Sequence, residues 1–139
     1  MGLVYAEIKL INSDDIALNR HGYLQKEEIR QMPVTAMVDS GATMLAINEN
    51  IKNQLGLVVI YKQTAQLADA TFLELEVVGP IELHFENRTV RCDALVLPGD
   101  SEVLLGAIPM EQMDVLIHPK SNRLIVNPEH PYKPVVKLK

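Results

Sequence analysis

With 139 residues the chain has room for one domain with a real core, and is too short for two. Hydrophobic residues make up 47% and aromatic residues only 4%, so the core must be mostly aliphatic. The net charge of −5 comes from 18 acids against 13 bases with no long basic block, which argues against nucleic acid as a partner.

The opening stretch MGLVYAEIKLINSDD has no basic region ahead of an apolar run. No run of the chain approaches the roughly 18 apolar residues of a membrane span, so no membrane partner is expected. Cys92 stands alone and closes no internal disulfide, which points to a reducing compartment. Cytoplasmic localisation, of bacterial type, is the expectation. LVYAEIKLI (3–11) and VTAMV (34–38) are short, apolar and bounded by polar or proline-containing segments, and read as strands. Between them 12–33 is polar and reads as a long hairpin connection. NENIKNQLGL (48–57) reads as one short helix: Asn48 can cap it, Glu49 suits the first turn, Ile51 and Leu55 share a face, and Gly56 can end it.

From residue 58 onward apolar and alternating runs return, punctuated at Asp69-Ala70, Gly79-Pro80 and Glu86-Asn87, as in an antiparallel meander. Cys92 falls in an alternating segment and reads as a buried, inert thiol. After Pro98-Gly99-Asp100 a strand runs into Gly106, a short helix is predicted over 109–113, and RLIVNP closes the pattern as a further strand. Lys133, Lys137 and Lys139 read as a solvated face on a possible last strand. The sum is an all-β domain with one or two short helices.

One stretch carries chemistry. In MVDSGATMLAI (37–47) an apolar strand delivers Asp39 to a turn, and Gly41 allows close backbone approach. A carboxylate so placed is held rather than freely solvated. Asp-Ser-Gly alone is also what a plain turn contains, with an Asp bonding nearby amides.

Three features in order single it out: Asp39-Ser40-Gly41-Ala42-Thr43, a hairpin around Ala68-Asp69-Ala70-Thr71, and Leu104-Leu105-Gly106, whose glycine follows the aspartate by 67 residues. Together they resemble the retropepsin-like (clan AA) aspartic proteases, most narrowly the small bacterial members, and the resemblance spans about residues 3–128. It implies a closed or sandwiched retropepsin-like β-barrel with a flap hairpin, one domain over 1–139, and a C-terminal extension from about 129. It implies Asp39 as the catalytic carboxylate, with Ser40, Gly41, Ala42 and Thr43 in the active-site loop. The hairpin from about 63 to 78, tipped by Ala68, Asp69, Ala70 and Thr71, matches the substrate-binding flap. Leu105 and Gly106 match the element supporting the loop. Bacterial relatives commonly carry Gly where this flap has Ala70, and a turn needing positive φ would be strained there.

The mechanism of that family needs two carboxyls sharing a proton, one acting as base on a water and the other as acid. Asp14, Asp15, Asp69, Asp93, Asp100 and Asp114 lack the Asp-Ser/Thr-Gly context and read as loop or surface acids. A homodimer supplies the second Asp39 on its two-fold axis, and an extended peptide substrate binds as an added strand. The resemblance thus implies an aspartic endopeptidase, a peptide-bond hydrolase. A non-catalytic peptide-binding module keeping the same fold is the alternative. Ala42 offers the carboxylate no hydroxyl, so the active window is expected at weakly acidic to near-neutral pH. His21, His84, His118 and His130 show no metal-ligand spacing, and neither metal nor cofactor is called for.

Overall fold

The computed structural model describes residues 2–138. Its elements are β1 (Tyr5–Asn12), α1 (Ser13–Arg20), a 3-10 turn (Lys26–Glu28), β2 (Gln31–Val38), β3 (Leu45–Asn48), α2 (Glu49–Leu55), β4 (Val58–Gln66), β5 (Phe72–Phe85), β6 (Arg88–Leu97), β7 (Val103–Leu105), α3 (Ala107–Met113), β8 (Val115–His118) and β9 (Arg123–Val126). Six strands in the order β1-β2-β7-β3-β6-β5 close into a barrel, because β5 returns to pair with β1. β4 hangs outside this ring on β5, and β8 and β9 form a separate ribbon.

Alternation in sequence becomes inside and outside in the barrel. In β1 Ala6, Ile8 and Leu10 are buried while Glu7 and Lys9 face solvent, and the register sets Ala6 against Ala36 and Ile8 against Val34 of β2. Closure sets Leu10 against Leu83 of β5. β5 is long enough to serve both barrel and hairpin because a bulge between Val78 and Ile81, at Gly79-Pro80, bends it without ending it. The core is aliphatic, built from Leu45, Ile47, Ile81, Leu83, Val96, Val103 and Leu105 with Phe85 as its aromatic member.

A seven-residue helix such as α2 is marginal alone and must be held by its contacts. Asn48 accepts from the Ile51 amide, and Gly56 ends the helix in the left-handed conformation at φ 62. Ile51 and Leu55 are buried at 5% and 1% exposure. Fully burying two such side chains contributes about 3–6 kcal/mol, against about 1 kcal/mol for a cap, so packing is what holds α2.

Three expectations need correcting here. The segment 12–33 is not a plain hairpin connection: it contains α1 and the 3-10 turn, so the described residues carry three short α-helices. α1 escapes a search for apolar periodicity because Ser13 and Asp15 are its buried residues. Asp15, moreover, is no loop or surface acid. Its side chain is 4% exposed, and its carboxylate accepts from Arg30 Nε at 2.8 Å, Arg30 Nη2 at 2.9 Å and the Arg30 amide at 2.9 Å. The Arg30 guanidinium holds the Asp15 carboxyl below its ordinary value, against an opposing effect of burial. The expected last strand is also absent: 127–138 forms no regular element, with Lys133 and Lys137 exposed and Lys139 outside the described residues.

Asp15→Asn should cost about 2 kcal/mol at neutral pH, since it removes the charge from hydrogen bonds that one half-exposed arginine supplies. Because the folded-state pKa is depressed, that stability is present above the unfolded carboxylate value and is lost as pH falls through the lowered one. Urea unfolding of parent and variant should show a gap at pH 7 that closes in strong acid. A gap that persists unchanged there contradicts the pairing.

Candidate active site

β2 ends at Val38, and the six residues before β3 make the loop that carries Asp39. The Asp39 amide donates to the Leu105 carbonyl at 3.0 Å, which continues the parallel β2–β7 pairing by one step. The chain then turns back: Ala42 N donates to Asp39 O at 3.1 Å, and Gly41 N donates to Asp39 Oδ1 at 2.9 Å. The carboxylate is therefore aimed by a backbone amide of its own loop. Among the described residues no side chain hydrogen-bonds to it. It is half-buried, with Ser40, Gly41 and Thr43 exposed around it, so it sits at the surface of the single chain and not inside the core.

The loop is held from beneath by the start of α3. Ala107 N donates to Ala42 O at 2.8 Å and Ile108 N to Thr43 O at 3.0 Å. Helix-start amides lack intrahelical partners, and here two of them satisfy the carbonyls of a loop that has no ladder of its own. Gly106 makes this approach possible. Its backbone is extended, at φ −87 and ψ 178, so any residue could adopt it. Space is what excludes other residues: a Cβ there would collide with the Met44 carbonyl oxygen and lie 2.8 Å from Met44 N and from Thr43 C.

The second component is the hairpin of β4 and β5. Its register, Gln63 against Leu75 and Gln66 against Phe72, leaves 67–71 as the tip. Ala70 N donates to Leu67 O at 2.9 Å and Leu67 N to Thr71 O at 2.8 Å, a tight turn followed by a left-handed residue. Asp69 Oδ1 accepts from Thr71 N at 3.1 Å and from Thr71 Oγ1 at 2.5 Å. These bonds, the hydroxyl first, hold the Asp69 carboxyl below its ordinary value. Ala68, Asp69, Ala70 and Thr71 are all exposed, and none hydrogen-bonds to the Asp39 loop among the described residues. Facing pairs place Tyr61, Gln63, Ala65, Leu73 and Leu75 on one side of the hairpin, and Lys62, Thr64, Phe72, Glu74 and Glu76 on the other.

An Asp-Ser-Gly loop resting on a Leu-Gly element, in a closed barrel with a projecting hairpin, has a counterpart among known sequences. The family described as "gag-polyprotein putative aspartyl protease" matches residues 26–112. The chain belongs to this family of retropepsin-like aspartic proteases. A search of curated proteins gave no match. In three dimensions the chain is similar to the crystal structure of the retroviral protease-like domain of Ddi1 from Leishmania major. The two share 15% identity with a TM-score of 0.58, over 92% of this chain and 90% of that one. At that identity the likeness speaks for the fold.

Within this retropepsin-like frame, Asp39, Ser40, Gly41, Ala42 and Thr43 lie together in one loop, with Leu105 and Gly106 directly against it. Ala68 to Thr71 form a separate unit at the hairpin tip. Sequence reasoning missed the Ala107 and Ile108 amides, although a helix starting just after a required glycine was a signal for them. It also missed Lys52 of α2, whose Nζ lies 2.7 Å from Glu76 Oε1 and ties the hairpin face that carries Glu76 to that helix. Cys92 lies partly buried in β6 against the core, and the desolvation there, with Asp93 nearby, pushes its thiol up to about 12, too high for a nucleophile at neutral pH.

Ala70 does adopt the positive φ anticipated as a strain, at 69°. A left-handed residue with a Cβ costs about 1–2 kcal/mol relative to its relaxed conformation, and glycine avoids this. Ala70→Gly should therefore lower the free energy of the closed hairpin by roughly 1 kcal/mol, less the added chain entropy of glycine. Amide exchange at Leu67 and Ala70 should slow in the variant. Faster exchange there would mean that the tip carries no strain.

Proposed function

We propose that the protein is an aspartic endopeptidase that hydrolyses peptide bonds of extended polypeptides as a homodimer, with Asp39 of each copy in one site. The observation that carries this reading is the Asp39 carboxylate, half-buried at the surface, aimed by the Gly41 amide and hydrogen-bonded to no side chain among the described residues. A lone carboxylate can act as a base or as an acid but not as both at once, and a second copy across a two-fold axis supplies the other. Two such groups in contact share one proton. The ionised one takes a proton from a water that attacks the scissile carbonyl, while the protonated one gives its proton to the carbonyl oxygen. The pair then gives its proton to the nitrogen and takes one from a diol hydroxyl as the C–N bond breaks, so that the amine leaves, a carboxylic acid product forms and the two carboxyls again share one proton. Ser40 and Thr43, exposed beside Asp39, are the loop positions available to the second copy.

The substrate would lie beneath the hairpin as an added strand, its backbone paired and its side chains in alternating pockets. The hairpin face carrying Tyr61, Gln63, Ala65 and Leu73 suits apolar or uncharged side chains. Ala68 to Thr71 would close over the peptide as a lid. Dimer contacts are proposed at the two chain ends, where Leu3 is 68% and Leu138 95% exposed and where backbone lacks sheet partners.

The test is to incubate the purified protein with a denatured protein mixture across pH, sequence any new termini, and measure its mass by sedimentation. New termini from a dimeric species support the reading. Peptide binding with no cleavage at any pH would replace it with the non-catalytic peptide-binding module.

A further inference from the structure

Past β9 the chain has no regular structure, yet it does not leave the barrel at once. It folds back over the end of α3 and the β5–β6 turn, and four of the seven hydrogen bonds that fix it there among the described residues involve Asp114. This residue ends α3 in the left-handed conformation at φ 57. Its carbonyl accepts from Asn127 N at 3.1 Å, and its Oδ1 accepts from Asn127 Nδ2 at 3.0 Å. Its Oδ2 accepts from Val135 N at 3.0 Å and lies 2.5 Å from His130 Nδ1. Asn87, in the turn, donates to Pro131 O at 2.8 Å.

Beneath this segment lies Arg88, fully buried. Its Nη2 donates to His130 O at 2.6 Å and stands 3.9 Å from Asp114 Oδ2, while its Nε and Nη1 have no hydrogen-bond partner among the described residues. A buried guanidinium is tolerable only with a countercharge. Among the described residues Asp114 is the carboxylate within 4 Å of it. We propose that Asp114 is the clasp of a C-terminal strap: its carboxylate, balanced by buried Arg88, holds residues 127–135 to the barrel. It thereby fixes where the exposed apolar end at Val136 and Leu138 departs. The clasp operates whether or not the protein cleaves peptides.

The charged or titratable groups within 4 Å of the Asp114 carboxylate are Arg88 from β6 and His130 from the strap. The Asn127 amide foremost, then the Val135 amide and His130, hold its carboxyl below the ordinary value. The clasp is thus shut above the usual carboxylate range and opens only as pH falls through that lowered value.

Amide exchange on the full chain at neutral pH tests this. Asp114→Asn retains a residue type that tolerates the left-handed conformation, but presents an NH2 where Oδ2 accepted from Val135. Protection of the Val135 amide should fall at least about tenfold, with the core amides of β1 and β5 unchanged. Val135→Pro removes the donor alone and should free the residues beyond it while leaving the Arg88–Asp114 contact in place. Should Asp114→Asn unfold the barrel by exposing an uncompensated Arg88, Arg88→Met added to it should restore folding with the strap still free. Undiminished protection at Val135 in whichever Asp114 variant folds, or no protection there in the parent, overturns the proposal.

Discussion

Asp39→Asn should reduce cleavage by about 10⁴-fold, the upper end of what a positioned proton-transfer group contributes, because its amide can take no proton from the attacking water. The fold should not notice. Asp39 is half-buried at the surface, and the asparagine oxygen can still accept from the Gly41 amide, so stability should stay within about 0.5 kcal/mol. Mixing supplies the sharper test. If each site needs Asp39 from two copies, equal amounts of parent and variant assort at random, and the parent chains should then give about half the rate that the same amount gives alone. An unreduced rate in the mixture, with subunit exchange confirmed, means that one chain is sufficient. The homodimer mechanism would then fail even if the variant itself is inactive.

The second large effect is expected at a residue that touches no substrate. Gly106→Ala places a methyl group against the backbone of Thr43 and Met44. Backbone cannot rotate aside as a side chain can, so either α3 or the Asp39 loop must shift. Overpacking of this kind costs about 3 kcal/mol, or a fall in Tm of roughly 10 °C for a chain of this size. A shift also loosens the bonds from Ala107 and Ile108 to the loop carbonyls, so activity should fall beyond what the fraction unfolded explains. Gly41→Ala is the comparison: its Cβ would lie 3.2 Å from Asp39 Oδ1, a side-chain atom that can move by a few tenths of an ångström. It should cost less in Tm than Gly106→Ala. The reverse order would show that the supporting contact under the loop is softer than its distances indicate.

What could be read from residues alone was whatever acts over a few neighbours. The alternation of Ala6, Ile8 and Leu10 sets one face of β1 whatever strand it meets, and Asn48 and Gly56 mark the ends of α2 through bonds that span three or four residues. The turn at Asp69-Ala70 and the Asp39-Ser40-Gly41 loop are local in the same sense, and their order along the chain pointed to the retropepsin-like barrel. Space and long-range pairing decided the rest. Nothing in the polar segment SDDIALNR announces that Asp15 is buried, because the reason is Arg30, fifteen residues on. Asp114 looked like a surface acid because its partners come from β6 and the strap, and Arg88 reaches His130 across 42 residues. That Asp39 lies open at the surface of one chain, and not within its core, is equally a matter of which strands close the ring. Hydrophobic period and capping are written in adjacent residues, whereas the partner of a buried charge depends on which distant segments the closed barrel brings within 4 Å.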